Sequence, residues 1–184
     1  MILRTGNLSV NQRLSILVTI CSMGLLVTSF FLYGSLIESL YAEKKARTRS
    51  MVDVGSSILS HYYALSQNKV LDKREAQQLA TTTLRNAVYR NNGYFWVTDL
   101  NGRFLVQPSM PELTGTVQIN KVDITGKLLV QEFITTAQQG GGWIDYYWPK
   151  PDNRENARKL SYAHLFEPWG WVIGTGLYLN DMER

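Results

Sequence analysis

The side chain best suited to chemistry in this sequence is Lys159, which falls within a predicted strand between Arg158 and Leu160. A lysine on an inward strand face needs an anionic partner, because a buried and unpaired charge is costly. Three environments fit the sequence. Lys159 forms an ion pair with Asp123 or Asp145, or it receives the carboxylate of a ligand, or it faces solvent.

Large aromatic residues accompany Lys159 along the predicted strands: Trp96, Tyr146, Trp148, Tyr162, Trp169 and Trp171. Binding pockets and hydrophobic cores both favour such side chains, so each of them has either a ligand-binding or a packing role. Strand alternation places Tyr94 and Trp96 on one face, and it gives Tyr146 and Trp148 a common face. We interpret Trp169 and Trp171, which flank a tight turn at Gly170, as structural.

The sequence lacks the patterns of the common catalytic sites. It has no phosphate-binding loop, dinucleotide-binding glycine pattern, nucleophile elbow or histidine-metal spacing. The single cysteine, Cys21, has no partner for a disulfide, and two histidines distant in sequence do not make a ligand set. The net charge is +4, but the basic residues are scattered and form no nucleic-acid stripe. We therefore predict a binding protein, not an enzyme, with no cofactor, no metal and no nucleic-acid partner.

An uncharged and strongly apolar run extends from Leu14 to Ile37. A helix of this length spans about 36 Å, which exceeds the hydrocarbon core of a bilayer of about 30 Å. A cleaved signal peptide has a shorter apolar segment and a small-x-small site, and a buried core helix usually carries a polar stripe. The run therefore predicts a retained transmembrane helix. Basic residues occur on both flanks, so flanking charge leaves the orientation open.

Apolar residues continue beyond this run with heptad-like spacing: Ile37, Leu40, Met51, Val54, Ile58 and Leu65. The spacing predicts a long helix that leaves the membrane and whose apolar stripe pairs with a second copy of the chain. The alternative is that the stripe packs against the chain's own domain. Both hold if Met51–Leu65 docks on the chain's own domain and the membrane-proximal part pairs with the second copy.

The remaining pattern predicts a second helix from Asp72 to about Tyr89, ended by residues 91–93, and then a sheet interrupted by a helix at Lys127–Gln139. Asn101-Gly102 indicates a two-residue hairpin turn between the first two strands. The other predicted strands are Trp143–Trp148, Arg158–Leu165 and Trp171–Leu179. The order is two helices and then β-β-α-β-β-β, an α+β fold with a PAS-like sheet of five mostly antiparallel strands and a core on one side.

Several motifs resemble single Cache domains of the sCache_2 type, over about residues 38–184. The opening run is Gly93–Gly102, with sequence GYFWVTDLNG, and the closing run is Pro168–Tyr178, with sequence PWGWVIGTGLY. Between them lie Pro108, the PELTG run from Pro111, Asp123-x-x-Gly126, the YxWPKP run from Tyr146 and the KLSY run from Lys159.

The resemblance implies the sensor of a bacterial methyl-accepting chemotaxis receptor, or of a kinase or cyclic-dinucleotide enzyme. It implies a cytoplasmic tail at 1–13, a transmembrane helix at 14–37 and a periplasmic sensor at 38–184, with a second span after it. The protein would be a homodimer in the bacterial inner membrane. Its ligand would be a short carboxylate, or next an amide or urea, held between the sheet and the segment that links the second and third strands.

The same resemblance implies six ligand-binding residues by position: Trp96, Gln107, Tyr146, Trp148, Lys159 and Tyr162. Two positions depart from the family pattern. Val88 stands where the family often has arginine, and Gln107 stands where it often has histidine. The loss of two groups that can carry positive charge makes a neutral polar ligand, or a carboxylate held by Lys159 alone, more plausible. A third hypothesis is a membrane-anchored interaction domain without a ligand.

Overall fold

The computed structural model describes residues 9–89, 93–152 and 154–179. The helices are α1 (Val10–Gln67), α2 (Lys73–Asn86) and α3 (Leu129–Gln138), with short 3-10 turns at Pro111–Leu113 and Glu167–Trp169. The strands are β1 (Trp96–Asp99), β2 (Phe104–Val106), β3 (Gly142–Pro149), β4 (Asn156–Phe166) and β5 (Trp171–Tyr178). The chain forms two compact units, Met1–Lys44 and Lys45–Arg184.

The first unit contains the apolar part of α1. Its most apolar 18-residue window has a mean hydropathy of 2.1 and is not buried by the protein. Leu25 and Phe30, for example, are 69% and 77% exposed. Among the described residues, α1 is the one helix that is long and apolar enough to be a candidate membrane span.

The second helix begins where the sequence predicts. The Asp72 carboxylate accepts a hydrogen bond from the Glu75 backbone N–H at 2.7 Å, which satisfies one of the free donors of the first turn. Helix α2 ends at Asn86, three residues before the predicted end. The backbone of Tyr89 instead exchanges two hydrogen bonds with Gly93, at 3.0 and 2.8 Å. Asn91 and Asn92 of the predicted helix stop lie outside the described residues.

The five strands form one antiparallel sheet in the order β2-β1-β5-β4-β3. The predicted hairpin is present, but its turn is different. The Gly102 N–H donates to the Asp99 carbonyl at 3.0 Å, and Asp99 N–H donates to the Arg103 carbonyl at 3.0 Å, which makes a three-residue loop. Only Gly102 in this loop has positive φ, whereas the type I′ two-residue turn that Asn-Gly favours needs positive φ at both positions.

Both faces of the sheet are covered, so the prediction of a one-sided core is wrong. We call the face under α3 the α3-side core, and it contains Tyr94, Trp96, Phe104, Leu129, Val130, Phe133, Ile134, Ala137, Ile144, Tyr146, Trp148, Ala163 and Val172. The opposite face is the α1-side core, with Val52, Leu59, Ala80, Leu84, Phe95, Val97, Val106, Tyr162, Phe166, Trp171 and Ile173. The alternation predicted for residues 94–97 is therefore confirmed.

The predicted apolar stripe of α1 divides in two. Met51 and Ile58 are partly buried and pack against the α1-side core, as the alternative reading of the stripe expects. Leu40 and Val54 are 44% and 50% exposed. The exposed positions are therefore the ones that remain available for pairing with a second chain.

Candidate ligand-binding site

A polar cluster lies within the α3-side face of the sheet, and the strand register assembles it. Tyr146 on β3 is the cross-strand partner of Lys159 on β4, which in turn is paired with Tyr178 on β5. Ser161 lies two residues beyond Lys159 on the same face, and Tyr94 approaches from the segment before β1. We call Tyr94, Tyr146, Lys159, Ser161 and Tyr178 the polar cluster.

Lys159 is only 1% exposed. Its Nζ donates to Tyr94 Oη at 2.7 Å and lies 4.0 Å from the centre of the Tyr94 ring and 5.0 Å from that of Tyr178. Two electron-rich ring faces and one phenol oxygen therefore surround the amine. Burial lowers the pKa of Lys159 below its usual range, and Tyr94 opposes this shift.

The two carboxylates predicted as partners of Lys159 are bound elsewhere, so the ion-pair prediction is wrong. Asp145 faces the other side of its strand and forms a bidentate pair with Arg158, with distances of 2.5 to 3.1 Å. The Asp123 carboxylate accepts backbone N–H groups, including that of Tyr147 at 3.0 Å. Exposure of Lys159 to solvent is also excluded by its burial. No carboxylate contacts Lys159 Nζ within residues 9–89, 93–152 and 154–179.

Burial keeps two phenols of the cluster, Tyr146 and Tyr178, in the neutral form. Burial raises the pKa of Tyr146 well above its usual value, with a further contribution from Tyr94. Burial also raises the pKa of Tyr178. Tyr146 Oη lies 3.0 Å from Ser161 Oγ, and Tyr178 Oη donates to the Pro149 carbonyl at 2.8 Å. The cluster thus offers hydroxyl groups around a single buried amine.

Trp96 lies beside this cluster, and β5 is shaped to receive it. The Trp96 ring stacks on Phe133 of α3 at 4.4 Å between centroids. It also lies over Gly174, where an added Cβ would approach ring atoms to 2.2 Å. Gly176 leaves similar space for the Ser161 hydroxyl. Trp96 Nε1 is buried and has no hydrogen-bond acceptor in the described chain.

Gln107, Ser109 and Trp148 form a second polar chain at the edge of the same face. Trp148 Nε1 donates to Ser109 Oγ at 2.8 Å, and Ser109 Oγ donates to Gln107 Oε1 at 3.0 Å. All three residues are buried. Gln107 therefore takes part in fixing Trp148, and Val88, which is 62% exposed, lies outside this arrangement.

Tyr162 does not belong with the other predicted site residues. It belongs to the α1-side core, because adjacent residues on a strand point to opposite faces and Ser161 points to the polar cluster. Its ring contacts Trp143 edge to face at 5.2 Å, and the Arg49 guanidinium lies 5.4 Å from the ring centre. Its position indicates packing between the sheet and α1.

The structure therefore brings together Trp96, Gln107, Tyr146, Trp148 and Lys159 on one face, and it adds Tyr94, Ser161 and Tyr178. Sequence reasoning missed these three as site residues. Alternation already placed Tyr94 beside Trp96, and this was a usable signal. The position of Tyr178 opposite Lys159 depends on the register of β4 with β5, which no local pattern reveals.

A cleft of about 250 Å³ adjoins this face. Its walls come from the segment between β2 and α3 and from β3 and β4, and include Met110, Lys121, Leu129, Trp148 and Asn156. Lys121 Nζ lies 5.7 Å from the centre of the Trp148 ring. No group of three or more metal-ligating side chains occurs among the described residues.

Comparison with known protein families identifies the family to which this arrangement of sheet, α3 and buried lysine belongs. The profile of the family described as Single Cache domain 2 matches residues 40–184. The chain belongs to the single Cache domain 2 family. The predicted α+β fold class and the resemblance to single Cache domains of the sCache_2 type are thereby confirmed.

Two curated relatives of this Cache domain are signalling proteins. The methyl-accepting chemotaxis protein McpP of Pseudomonas putida is 32% identical over 178 residues, which cover 96% of this chain and 33% of McpP. The sensor histidine kinase MctS of Rhizobium johnstonii is 30% identical over 145 residues, which cover 79% of this chain and 31% of MctS. The chain thus spans about a third of the length of these relatives.

Solved structures agree with the assignment. A Cache chemosensory domain studied for its recognition of carboxylic acids has a TM-score of 0.74 and 34% identity, covering 77% of this chain and 97% of that domain. A periplasmic sensor domain of a chemotaxis protein has a TM-score of 0.73 and 37% identity, covering 76% of this chain and 97% of that domain. This chain is therefore a Cache sensor domain of the kind found in chemotaxis receptors and histidine kinases.

Proposed function

We propose that this chain is the extracytoplasmic sensor of a membrane chemoreceptor and that it binds a short carboxylate at Lys159. The observation that carries the proposal is the environment of that side chain. Lys159 is buried, yet Tyr94 Oη is its hydrogen-bond partner and no carboxylate contacts it among the described residues. An ammonium group removed from water is unfavourable until an anion compensates it, and the anion of a small ligand would do so.

The groups around Lys159 suit a carboxylate with a small apolar remainder. Tyr94 and Tyr146 supply phenol hydroxyls, and Trp96 Nε1 is a buried donor without an acceptor in the described chain. A carboxylate accepts several such hydrogen bonds, and charge-assisted bonds are the strongest of them. Trp96 and Phe133 provide an aromatic wall for the methyl end.

The similarity to a Cache domain that recognises carboxylic acids supports the same ligand class. An amide is the next candidate, because it also accepts hydrogen bonds from an amine and phenols. Val88 and Gln107 reduce the positive charge expected of the family pattern. In the proposed site Lys159 is the one residue that selects an anion over an amide.

The membrane arrangement is part of the proposal. Residues 1–13 lie in the cytoplasm, 14–37 cross the inner membrane, and 38–184 form the periplasmic sensor. The apolar part of α1 and the similarity to a periplasmic sensor domain support this arrangement. The receptor is a homodimer that pairs along the exposed positions of α1, and ligand binding changes that pairing and signals across the bilayer. The domain itself performs no catalysis.

The second candidate is the sensor of a membrane histidine kinase, which the similarity to MctS favours. Both candidates use the same ligand chemistry in this domain. They differ in the protein activity that the domain controls. The phosphorylation of a kinase core in response to ligand would distinguish a kinase from a chemoreceptor.

Substitution of Lys159 tests the ligand site. We expect Lys159→Met to reduce acetate affinity about ten- to hundredfold, because a hydrogen bond to a charged group contributes about 1.5–3 kcal/mol. Methionine fills the same space without the amine, so the melting temperature should stay close to that of the wild type. Isothermal titration calorimetry with acetate, propanoate and acetamide measures the change.

The matched control is Lys73→Met, which removes an exposed lysine at the start of α2. It should leave affinity and melting temperature unchanged. Acetamide affinity should respond less than acetate affinity to Lys159→Met. Unchanged acetate binding by a folded Lys159→Met protein would contradict the proposed site, and a wild type that binds none of the three compounds would contradict the proposed ligand class.

A further inference from the structure

Trp148 stands between the polar cluster and the open cleft. It is only 2% exposed, yet it contributes to the wall of the cleft together with Met110, Leu129, Pro149 and Asn156. On its other sides the ring contacts Tyr146 at 6.2 Å and Phe104 at 6.3 Å between centroids. The same indole therefore belongs to the wall of the cleft and to the packing around the cluster.

The strand register makes this separation one side chain thick. Tyr146 and Trp148 point to the same face of β3, about 7 Å apart along the strand. Tyr146 is opposite Lys159, and Trp148 is opposite Ala157. The small side chain of Ala157 leaves the indole to fill the space at this level. The cleft therefore begins two residues along the strand, about 7 Å, from the position of Lys159.

Two buried polar residues hold the indole in this position. Trp148 Nε1 donates to Ser109 Oγ, which donates to Gln107 Oε1, and the residues belong to the segment that follows β2. A rotated indole would leave Ser109 and Nε1 without these bonds, at a cost typical of buried unsatisfied polar groups. These hydrogen bonds therefore hold the Trp148 ring in one orientation between the polar cluster and the cleft.

We propose that Trp148 limits the chain length of the ligand by separating Lys159 from the cleft. This inference rests on the proposed binding of carboxylates at Lys159. In the wild type the Trp148 ring confines the ligand to acids with a short tail. Without the indole, the cleft and the cluster form one space, and an alkyl tail extends from Lys159 along Leu129, Met110 and Pro149. These apolar side chains suit hydrocarbon.

The test is a series of unbranched acids from acetate to hexanoate, titrated calorimetrically into the wild type and Trp148→Ala. Wild-type affinity should fall by more than tenfold from propanoate to pentanoate. For Trp148→Ala it should rise with length, by about fourfold per added methylene, which is the ratio expected for burial of one CH₂ group. Acetate should bind the variant more weakly than the wild type, because the methyl group keeps Trp96 and Phe133 but loses the side of its wall that Trp148 provides.

Trp143→Ala is the matched control, since it removes a tryptophan from the opposite face of the same strand, where it packs against the α1-side core. It should keep the wild-type length profile. Trp148→Leu, which leaves a smaller cavity, should shift the profile in the same direction by a smaller amount, and it serves if Trp148→Ala does not fold. The proposal is overturned if a folded Trp148 variant binds acetate and still rejects pentanoate. If the wild type binds no acid at all, the proposed carboxylate function fails first, and the two failures are distinguishable.

Discussion

Asp123 fastens the segment between β2 and α3 to strand β3. Its carboxylate accepts hydrogen bonds from the backbone N–H groups of Thr125, Lys127 and Tyr147 and from the Thr125 hydroxyl, at 2.6 to 3.1 Å. This segment forms one wall of the cleft. The Asp123 carboxylate is therefore one of the groups that hold that wall in place.

We expect Asp123→Ala to lower the free energy of unfolding by about 1–3 kcal/mol, because it leaves these donors without their acceptor. Urea unfolding of the wild type and the variant at pH 7 measures the difference. Asp53→Ala is the control, since Asp53 is an exposed carboxylate on α1. A change smaller than about 0.5 kcal/mol for Asp123→Ala, the range of ordinary surface substitutions, would contradict the role of Asp123.

The contribution of Asp123 should also depend on pH. Burial alone would raise the pKa of Asp123, but the hydrogen bonds from Thr125, Tyr147 and Lys127 outweigh it and lower the pKa below 3.8. A carboxyl whose pKa is lowered by folding stabilises the protein above its unfolded pKa, and the contribution is lost as the pH falls through the folded value. The difference between wild type and Asp123→Ala should therefore be constant near neutral pH and narrow below about pH 4.

At the scale of single residues, two of the three environments that the sequence allows for Lys159 place it inward, and it is buried. Its binding of an anion stays a prediction. The sequence was sufficient to place Trp96 with Tyr94, and Tyr146 with Trp148, because strand alternation is a local rule. Asp123 and Asp145, the carboxylates that the sequence offers for an ion pair with Lys159, are bound elsewhere. Their true partners depend on cross-strand positions and on the path of a loop, and these are set by contacts distant in sequence.

At the scale of elements, Gly55 sets how closely α1 approaches the sheet. A Cβ added there would lie 2.6 Å from Ile173 Cδ1 and 3.0 Å from Phe95 Cε1. Glycine inside a helix costs about 0.5–1 kcal/mol relative to alanine, so its presence needs a compensating reason. The close contact of α1 with β5 and with the residue before β1 supplies that reason.

We expect Gly55→Ala to destabilise the domain, because overpacking a core costs about 1–3 kcal/mol and exceeds the gain in helix propensity. Ile173→Val removes the Cδ1 atom that the new methyl group would meet. The double variant should therefore be more stable than the sum of the two single changes implies, with a coupling of about 1 kcal/mol. Thermal unfolding of the four proteins gives this coupling.

Ser60→Ala provides the reference for the helix itself, because Ser60 is exposed on α1. It should change stability by less than about 0.5 kcal/mol. Additive effects of Gly55→Ala and Ile173→Val would show that the contact with β5 does not limit the position of α1.

The order of elements was largely predictable, since helix caps, alternating strands and glycine stops are local signals. The Asn101-Gly102 hairpin shows the limit of such signals. The dipeptide marked the turn correctly, but Asp99 accepts the N–H groups of Asn101 and Arg103 at 2.9 Å through its side chain and so favours a three-residue loop. The packing of α1 on the second face was one of two alternatives, because an apolar stripe does not show whether it contacts the chain's own sheet or a second chain.

For the whole molecule, the exposed positions of α1 test the proposed dimer. Single cysteines at Leu40 and Val54, in a Cys21→Ser background, should form disulfide-linked dimers in membranes under mild oxidation. Both side chains are about half exposed and belong to the predicted heptad spacing. Yield is measured by non-reducing electrophoresis, with and without acetate.

A cysteine at Ala42 is the matched control, because it lies about 200° around the helix from Leu40. It should give less dimer than Leu40. Equal yields at Ala42 and Leu40 would indicate random collision in the membrane, and absence of crosslinking at both Leu40 and Val54 would contradict pairing along this stripe.

One pair of neighbouring residues has a consequence for how the sensor responds. Tyr94 carries the phenol that accepts the Lys159 hydrogen bond, and its own carbonyl accepts the Thr175 hydroxyl at 2.6 Å. Phe95, the next residue, packs on the other side of the sheet against α1 near Gly55. A trans peptide holds their Cα atoms 3.8 Å apart and cannot stretch. A displacement of the Tyr94 backbone therefore moves the Phe95 backbone with it, and the Phe95 ring carries the displacement to α1.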